Sequence, residues 1–202
     1  MNKKYKDPSI TINKVYTKTG DQGKTRLAGG KEVSKKNVRV VSYGEVDELN
    51  SSISIIVEII KSSYKGQKKL DDINLLLIQI QNKLFNVGTM IATLPEDIAI
   101  DTPQVSEDDV EFLEEKIDFY NNENNPLKSF VIPGGNLVNS YIHLSRTICR
   151  RAERNCVALL ETEDVPNIVV VYLNRLSDLL FVLSRVAVKY CDDEENLWNP
   201  NS

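Results

Sequence analysis

The chain has 202 residues, the length of one domain or of a domain with a tail. Hydrophobic residues make up 41% and charged residues 27%, which excludes an intrinsically disordered or collagen-like chain. The net charge of −4 argues against a general nucleic-acid binder, which usually carries a basic balance. No apolar run approaches the ~20 residues that a membrane-spanning helix needs.

The cysteines and the single histidine limit which metal sites and catalytic groups the chain can contain. Three cysteines without Cys-x-x-Cys spacing predict neither a disulfide scaffold nor a zinc site, and they fit a reducing cytoplasm. The basic N-terminus has no apolar core after it, so we expect no secretory signal. With His143 as the only histidine, a histidine-rich metal centre and the di-iron site of some helical bundles are excluded. Any chemistry must therefore use carboxylates, cations and bound cofactors.

The sequence up to about residue 125 predicts three helices. Residues 1–43 are rich in Lys, Thr and Gly and show no helical period, so regular patterning begins near Tyr43. Apolar residues at steps of three and four then predict helices over 45–63 and about 70–93. Ser106 opens a third helix with acidic residues in its first turn, and its thin apolar stripe places it outside the main core.

The second half predicts two longer helices. One starts after the Pro-Gly-Gly sequence at 133–135 and continues to about Leu160, and Pro166 suits the first turn of the last helix. Five helices with short connectors predict an all-α, five-helix up-and-down bundle preceded by an irregular N-terminal segment. We assign residues 1–13 to an N-terminal tail, 14–194 to the helical-bundle domain and 195–202 to a C-terminal tail.

The N-terminal segment at residues 15–26 is dense in Gly, Thr, Lys and Arg, the residues that an oligophosphate needs. It is not a P-loop, because that motif has four residues between its glycines and a helix directly after it. A flexible, solvated basic arm explains the same composition equally well.

The fourth predicted helix carries four arginines within nine residues. Helical spacing places four side chains on one face: His143, Arg146, Arg150 and Glu153. The predicted apolar face consists of Leu137, Tyr141, Leu144, Ile148 and Ala152. The arginines suit either a solvated face or an anion clamp. Asn174, Ser177 and Asp178 in the last helix favour a polar site between helices.

Five sequence motifs, in order, resemble the PduO-type ATP:cob(I)alamin adenosyltransferases. They are KVYTKTGDQGKTR at 14–26, YGEVDELN at 43–50, FVIPGG at 130–135, RTICRRAER at 146–154 and NRLSD at 174–178. The resemblance extends from residue 14 to about residue 190, and the five motifs together make it specific. The chain departs from the family at Ala28, where a phenylalanine is common.

The resemblance implies a homotrimer with active sites between subunits. It implies that ATP contacts the following residues of one subunit: Thr17, Lys18, Thr19, Gly20, Thr25, Arg26 and Lys35. It implies that the neighbouring subunit closes the site with Arg150, Arg151, Glu153, Arg154 and Asn174. Asp47 would pair with Arg146 across the interface. Phe130, which without the resemblance would be interpreted as a packing residue, would stand in the corrinoid pocket and displace cobalt's lower ligand.

The implied reaction transfers the 5′-deoxyadenosyl group of ATP to cob(I)alamin, with Mg²⁺ accompanying the ATP. Phe130, Arg150 and Asn174 are the predicted catalytic residues. No general base is required because the reduced corrinoid is itself the nucleophile, so the protein must align the substrates and stabilise the leaving phosphates. A reductase and an adenosylcobalamin-dependent acceptor enzyme are the expected partners, without nucleic acid or membrane. The alternatives are a non-catalytic nucleotide- or corrinoid-binding protein for sensing or delivery, and a purely structural bundle.

Overall fold

The computed structural model describes residues 16, 18 and 20–201. The helices are α1 (Val38–Ser63), α2 (Lys68–Ala92), α3 (Glu107–Asn121), α4 (Leu137–Leu160) and α5 (Ile168–Tyr190). The short strands are β1 (Lys24–Arg26), β2 (Glu32–Ser34), β3 (Val131–Ile132) and β4 (Asn196–Leu197). The predicted five-helix, mainly α-helical bundle is confirmed. No helix in the described part of the chain is long and apolar enough to cross a membrane.

Helix α1 begins seven residues before the predicted start, at Val38 rather than at residue 45. Its N-cap is Asn37, whose Oδ1 accepts a hydrogen bond from the Arg39 backbone N–H at 2.8 Å. The first two buried positions of the helix are Arg39 and Ser42, and both are polar. The helical period was therefore hidden because polar side chains occupy core positions in the first two turns.

Helices α1, α2, α4 and α5 enclose one continuous apolar core. Helix α4 packs between α1 and α5, and α2 covers the other side of α1. Helix α3 packs against α5 and has the predicted N-terminal cap, in which Ser106 and Asp109 form a capping box. The expectation that α3 lies outside the main core is wrong, because Val110, Leu113 and Tyr120 belong to the same buried cluster.

The buried face of α4 differs from the predicted one. Leu137 and Leu144 are 63% and 46% exposed, although both were assigned to the apolar face. The face that enters the core consists of Val138, Ile142, Ser145, Ile148, Cys149, Ala152, Cys156 and Leu159, so Ile148 and Ala152 are buried as predicted. Ser145, Cys149, Ala152 and Cys156 are small, which suits the middle of a helix that packs between α1 and α5.

Two small antiparallel sheets flank the bundle. In the first, β1 pairs with β2 with Thr25 opposite Val33, and the Ala28 N–H donates to the Ala92 carbonyl at 3.1 Å, which holds the hairpin loop on the end of α2. In the second, β3 pairs with β4. The predicted domain boundary at residue 194 stays a prediction, but residues beyond it pair with the loop before α4.

Candidate active site

The hairpin brings part of the predicted phosphate-binding segment together. A Cβ added at Gly20 would lie 3.2 Å from Lys35 Nζ, so the lysine amine lies directly over the glycine backbone. The backbone N–H of Lys35 donates to the Gly23 carbonyl at 2.8 Å. Lys18 lies just before this turn in a left-handed conformation with φ of 60°. A side chain at residue 20 would crowd this amine, so the lysine would have to shift to make room for it.

The cations of the hairpin differ in their partners. Lys24 pairs with Glu32 at 2.6 Å, whereas Lys18, Arg26 and Lys35 form no ion pair with the residues described. Three exposed cations are therefore available to an anion on this segment. Thr25 is half-buried in β1, and the two other predicted contacts, Thr17 and Thr19, lie outside the described residues.

Helix α4 presents a stripe of arginines without carboxylate partners. Arg146, Arg150 and Arg154 lie at successive steps of four residues and so share one face. None of them forms an ion pair within residues 20–201. We call these three residues the arginine stripe. A row of unpaired guanidinium groups is suited to a ligand with several negative charges, because each group offers a fixed fork of donors.

Arg151 was predicted to contact ATP but has carboxylate partners within the subunit. Its Nε donates to Glu45 Oε2 at 2.5 Å, and its terminal Nη2 pairs with the Glu48 carboxylate. Both glutamates lie on α1, so this arginine ties α1 to α4. The hydrogen bonds to both glutamates raise the pKa of the guanidinium above its ordinary value.

The predicted polar contact between α4 and α5 is present. Asn174 Nδ2 donates to Glu153 Oε1 at 2.9 Å and so fixes the glutamate beside the arginine stripe. Ser177 donates to the Asn174 carbonyl at 2.9 Å. Asp178 does not join this pair, since its carboxylate contacts Arg175 at 3.4 Å on the outer surface.

Phe130 borders a cavity of about 760 Å³ and is 78% exposed, so it is not a residue that packs under the bundle. The Trp198 ring lies edge-on to it, with ring centroids 6.0 Å apart. The backbone N–H of Trp198 donates to the Phe130 carbonyl at 2.8 Å, and the Ser129 hydroxyl donates to the Trp198 carbonyl at 2.8 Å. These bonds fix the backbone while the Phe130 side chain stays exposed. Arg146 lines the same cavity.

His143 also lines this cavity and is buried beside Arg146. Burial, together with the nearby Arg146 charge, lowers the pKa of His143 to about 4, so the imidazole is neutral at physiological pH. Its Nδ1 accepts a hydrogen bond from Arg146 Nε at 3.4 Å, which places the proton on Nε2. That Nε2 is buried and has no partner within the described part of the chain.

The structure does not bring the two cationic sets together within one subunit. Neither strand of the hairpin packs against α4, and no hydrogen bond or ion pair among the described residues joins the hairpin to that helix. Asp47 and Arg146, which are predicted to pair across a subunit interface, form no hydrogen bond or ion pair with each other within one subunit, and their pairing between subunits stays a prediction. The hairpin instead docks on the end of α2, and the arginine stripe faces outward from α4. A ligand that touches both sets must therefore bridge separate surfaces.

Two residues with structural roles, Arg39 and Trp198, were not identified from the sequence. Arg39 is 1% exposed, and it donates to the carbonyls of Ile91 and Thr93 and pairs with Glu163 at 2.7 Å. Its position before the expected helix start hid its role. Trp198 could have been found, because it is the only tryptophan and lies in an otherwise polar C-terminal segment.

Comparison with known proteins decides the family. Residues 15–187 match the sequence model of the family described as cobalamin adenosyltransferase. The chain belongs to that family. The corrinoid adenosyltransferase of Bacillus subtilis is 43% identical over 173 residues, which are 86% of each chain. The corrinoid adenosyltransferase of Mycobacterium leprae is 37% identical over 201 residues, covering 95% of this chain and 98% of the relative.

Solved structures agree with this family membership. A variant of the PduO-type ATP:corrinoid adenosyltransferase from Lactobacillus reuteri, complexed with cobalamin and ATP, is similar with a TM-score of 0.85 and 36% identity. The similarity covers 93% of this chain and 97% of that one. The resemblance predicted from the five motifs is confirmed.

Proposed function

We propose that this chain transfers the 5′-deoxyadenosyl group of ATP to cob(I)alamin, giving adenosylcobalamin and triphosphate. The observation that carries the proposal is the position of Arg146, which belongs both to the arginine stripe and to the cavity under Phe130. A site for phosphates therefore adjoins a large cavity with aromatic walls. Family membership and a similar structure holding both cobalamin and ATP support this reaction over a binding role alone.

In this proposal ATP binds between two subunits of a homotrimer. Residues on the hairpin side of one subunit are Thr17, Lys18, Thr19, Gly20, Thr25, Arg26 and Lys35. Residues on the α4–α5 side of the neighbour are Arg150, Arg151, Glu153, Arg154 and Asn174. The separation of the two cationic sets within one subunit supports this arrangement, because neither set alone surrounds a triphosphate.

The proposed chemistry forms one bond and breaks one bond. The electron pair on Co(I) attacks C5′ of ATP, the C5′–O bond breaks, and triphosphate leaves with that bond's electron pair. The cations hold the leaving group as its charge increases, and no proton has to be removed from the nucleophile. Buried Cys149 and Cys156 do not compete as nucleophiles, because burial raises their pKa values and keeps both thiols protonated.

Phe130 and Asn174 have different proposed roles. Phe130 occupies the position below the corrinoid and excludes cobalt's lower ligand, which eases reduction from Co(II) to Co(I). Asn174 holds Glu153 through the 2.9 Å hydrogen bond and so positions it beside the stripe. Arg150 contacts the phosphates directly, since it is exposed and has no carboxylate partner in the part of the chain described.

Mg²⁺ enters this proposal as the partner of the ATP phosphates. The described residues contain no group of three or more His, Cys, Asp or Glu side chains able to hold a metal ion, so these side chains do not fit a resident metal site. When bound, the ion would neutralise part of the phosphate charge. We further propose that the enzyme works in the cytoplasm with a reductase and an acceptor enzyme, and its three free thiols agree with a reducing compartment.

The test is an anaerobic assay with ATP and chemically reduced cobalamin, read from the corrinoid absorbance. The proposal predicts conversion to adenosylcobalamin by the wild type and a large loss in Arg150→Ala. The matched control is Arg175→Ala, because Arg175 pairs with Glu114 at 2.8 Å on the outer surface and has no proposed contact with ATP. ATP binding without conversion would favour the sensing or delivery alternative, and no ATP binding would favour a structural bundle.

A further inference from the structure

A groove runs between α2 and α3, on a part of the bundle that contains none of the proposed ATP or corrinoid contacts. Helix α3 packs against α5 but not against α2, so α2 and α3 stand apart with α5 at the base of the gap. Two adjoining cavities of about 230 Å³ and 350 Å³ lie in this gap, and both are lined by Gln79 and Phe112. We call the two cavities together the α2–α3 groove.

The walls of the α2–α3 groove are apolar and open to solvent. Leu75 on α2 is 59% exposed and Phe119 on α3 is 61% exposed, and both line the groove beside half-buried Phe112. Neither Leu75 nor Phe119 belongs to the continuous core of the bundle. Large apolar side chains in this arrangement offer a contact surface for a further apolar segment.

The floor of the α2–α3 groove carries a polar group without a protein partner. Tyr172 on α5 lines the floor and is 1% exposed, and its hydroxyl forms no hydrogen bond within the described residues. Burial raises the pKa of this hydroxyl, so it stays protonated and can donate. A buried donor without a partner is unfavourable, and a backbone carbonyl of a segment bound in the groove would accept its hydrogen bond.

The outer edge of the α2–α3 groove is acidic. Helix α3 contains seven acidic residues and one lysine, and two of the acids pair with cations on neighbouring helices. The other five form no ion pair within the described residues: Glu107, Asp108, Glu111, Glu115 and Asp118. Asp108 and Glu115 lie four residues before and three residues after Phe112, so helical spacing places them beside the apolar wall. This edge favours an occupant with positive charge.

The N-terminal tail has the complementary composition. Residues 1–13 lie outside the described part of the chain, and their sequence contains three lysines and one aspartate. It also contains Ile10 and Ile12, whose side chains point to the same side when the backbone is extended. An extended segment would also present backbone carbonyls to a donor such as the Tyr172 hydroxyl.

The N-terminal tail is long enough to reach the α2–α3 groove. The hairpin that follows the tail docks at Ala92, the last residue of α2. Leu75 lies about 26 Å from Ala92 along the helix, at 1.5 Å per residue. Thirteen extended residues span up to about 43 Å. Because the tail is tethered, its effective concentration at the groove is high, and individually weak contacts are sufficient for binding.

We infer that the α2–α3 groove binds the N-terminal tail of the same chain, with the two isoleucines of the tail against the apolar walls and its lysines beside the α3 carboxylates. Docking there would hold the chain just before the predicted phosphate-binding segment. The inference does not depend on the proposed reaction, because none of the groove residues belongs to the proposed ATP or corrinoid sites.

The test is zero-length crosslinking of the full chain at low salt. A water-soluble carbodiimide joins a lysine amine to a carboxylate only where the two groups are in contact. Mass spectrometry of the digested protein then identifies the joined residues, and denaturing gel electrophoresis separates links within one chain from links between chains. We expect the lysines of the tail to be joined to α3 carboxylates, chiefly Asp108 and Glu115, within one chain.

Glu161 and Asp164 are the internal control for this experiment. Both carboxylates are exposed and form no ion pair within the described residues. Arg39 donates to the carbonyls of Asp164 and Thr93, so these acids lie at the end of the bundle where the hairpin docks. A tail that stays in solvent would therefore reach them at least as easily as it reaches α3.

A groove variant separates docking from simple charge attraction. Phe119→Ser removes part of the apolar wall and leaves every charge in place, so the yield of links to α3 should fall about fivefold or more. Ile100→Ser is the matched control, because Ile100 is fully exposed and lies outside the groove, and it should leave the yield unchanged. If Phe119→Ser does not fold, Leu75→Ser replaces it, since Leu75 is also exposed.

Links confined to α3 within one chain, and lost in Phe119→Ser but not in Ile100→Ser, would support the inference. Equal linking to Glu161 and Asp164 would show a solvated tail and overturn it. Links found only between chains would place the tail on a second copy, which also overturns it. An unchanged yield in Phe119→Ser would show attraction by charge without docking in the groove, with the same consequence.

Discussion

Phe130→Ala separates a catalytic role from a packing role because the side chain is 78% exposed. About a fifth of its surface is buried, which is about 40 Å² and stabilises the fold by about 1 kcal/mol. The edge-on contact with Trp198 adds about 0.5–1.5 kcal/mol. Together these terms predict a fall in melting temperature of about 3–10 °C. A phenylalanine in the core would instead cost about 3–5 kcal/mol on truncation to alanine.

The same variant should lose most of its turnover when Co(II) cobalamin must first be reduced. ATP binding should change little, because the hairpin cations and Arg150 are untouched. The loss should be smaller with cobinamide, which lacks the base of the lower ligand and leaves less to displace. The assay measures both rates, ATP affinity and melting temperature on one preparation. Equal losses with both corrinoids, together with a large drop in melting temperature, would refute the reasoning.

Three further predictions follow from the charged and buried groups. Arg150→Ala should weaken ATP use by about 1.5–3 kcal/mol, or roughly 10–150-fold in kcat/KM, with an unchanged melting temperature, and unaltered steady-state kinetics would contradict its role. Arg39→Met should destabilise the fold by about 3–5 kcal/mol in urea unfolding, since it removes a buried cation from Glu163 and three carbonyls, whereas a loss below about 1 kcal/mol would show that the network is dispensable. The pKa of His143 is about 4 in the folded state and 6.5 in the unfolded state, so the unfolded chain binds the proton more readily. The stabilisation from the neutral imidazole is therefore fully present above pH 6.5. The free energy of unfolding should fall by up to about 3 kcal/mol as the pH is lowered towards 4. His143→Gln should reduce that acid sensitivity, and an identical pH profile in urea unfolding would contradict the shift.

The sequence predicted the helices well where the apolar period is unbroken. Helix α2 was expected over about 70–93 and is observed over Lys68–Ala92, since apolar residues recur along its whole length. Helix α1 was shortened because Arg39 occupies a core position and pairs with Glu163, 124 residues away in the sequence. A partner so distant cannot be read from local spacing, and tertiary contacts decided the helix start.

Only some of the site could be predicted from the sequence, again because the partners of several side chains lie on other helices. Spacing on one helix placed Arg146 and Arg150 on the same face, and Asn174 was identified as an unusual polar residue in an apolar pattern. The sequence did not distinguish Arg151 from its neighbours, because its partners Glu45 and Glu48 lie on another helix. Motifs thus identified residue types, while pairing between helices determined which cations remain available.

The most direct test of the central claim follows the atoms of the transfer. ATP labelled with ¹³C at C5′ is incubated with the protein and cob(I)alamin under anaerobic conditions, and the products are separated and examined by NMR. The proposed reaction predicts that the label appears in a carbon bonded to cobalt, with one triphosphate released for each adenosylcobalamin formed. Label that remains in ATP or appears in ADP, with the corrinoid unchanged, would contradict the account.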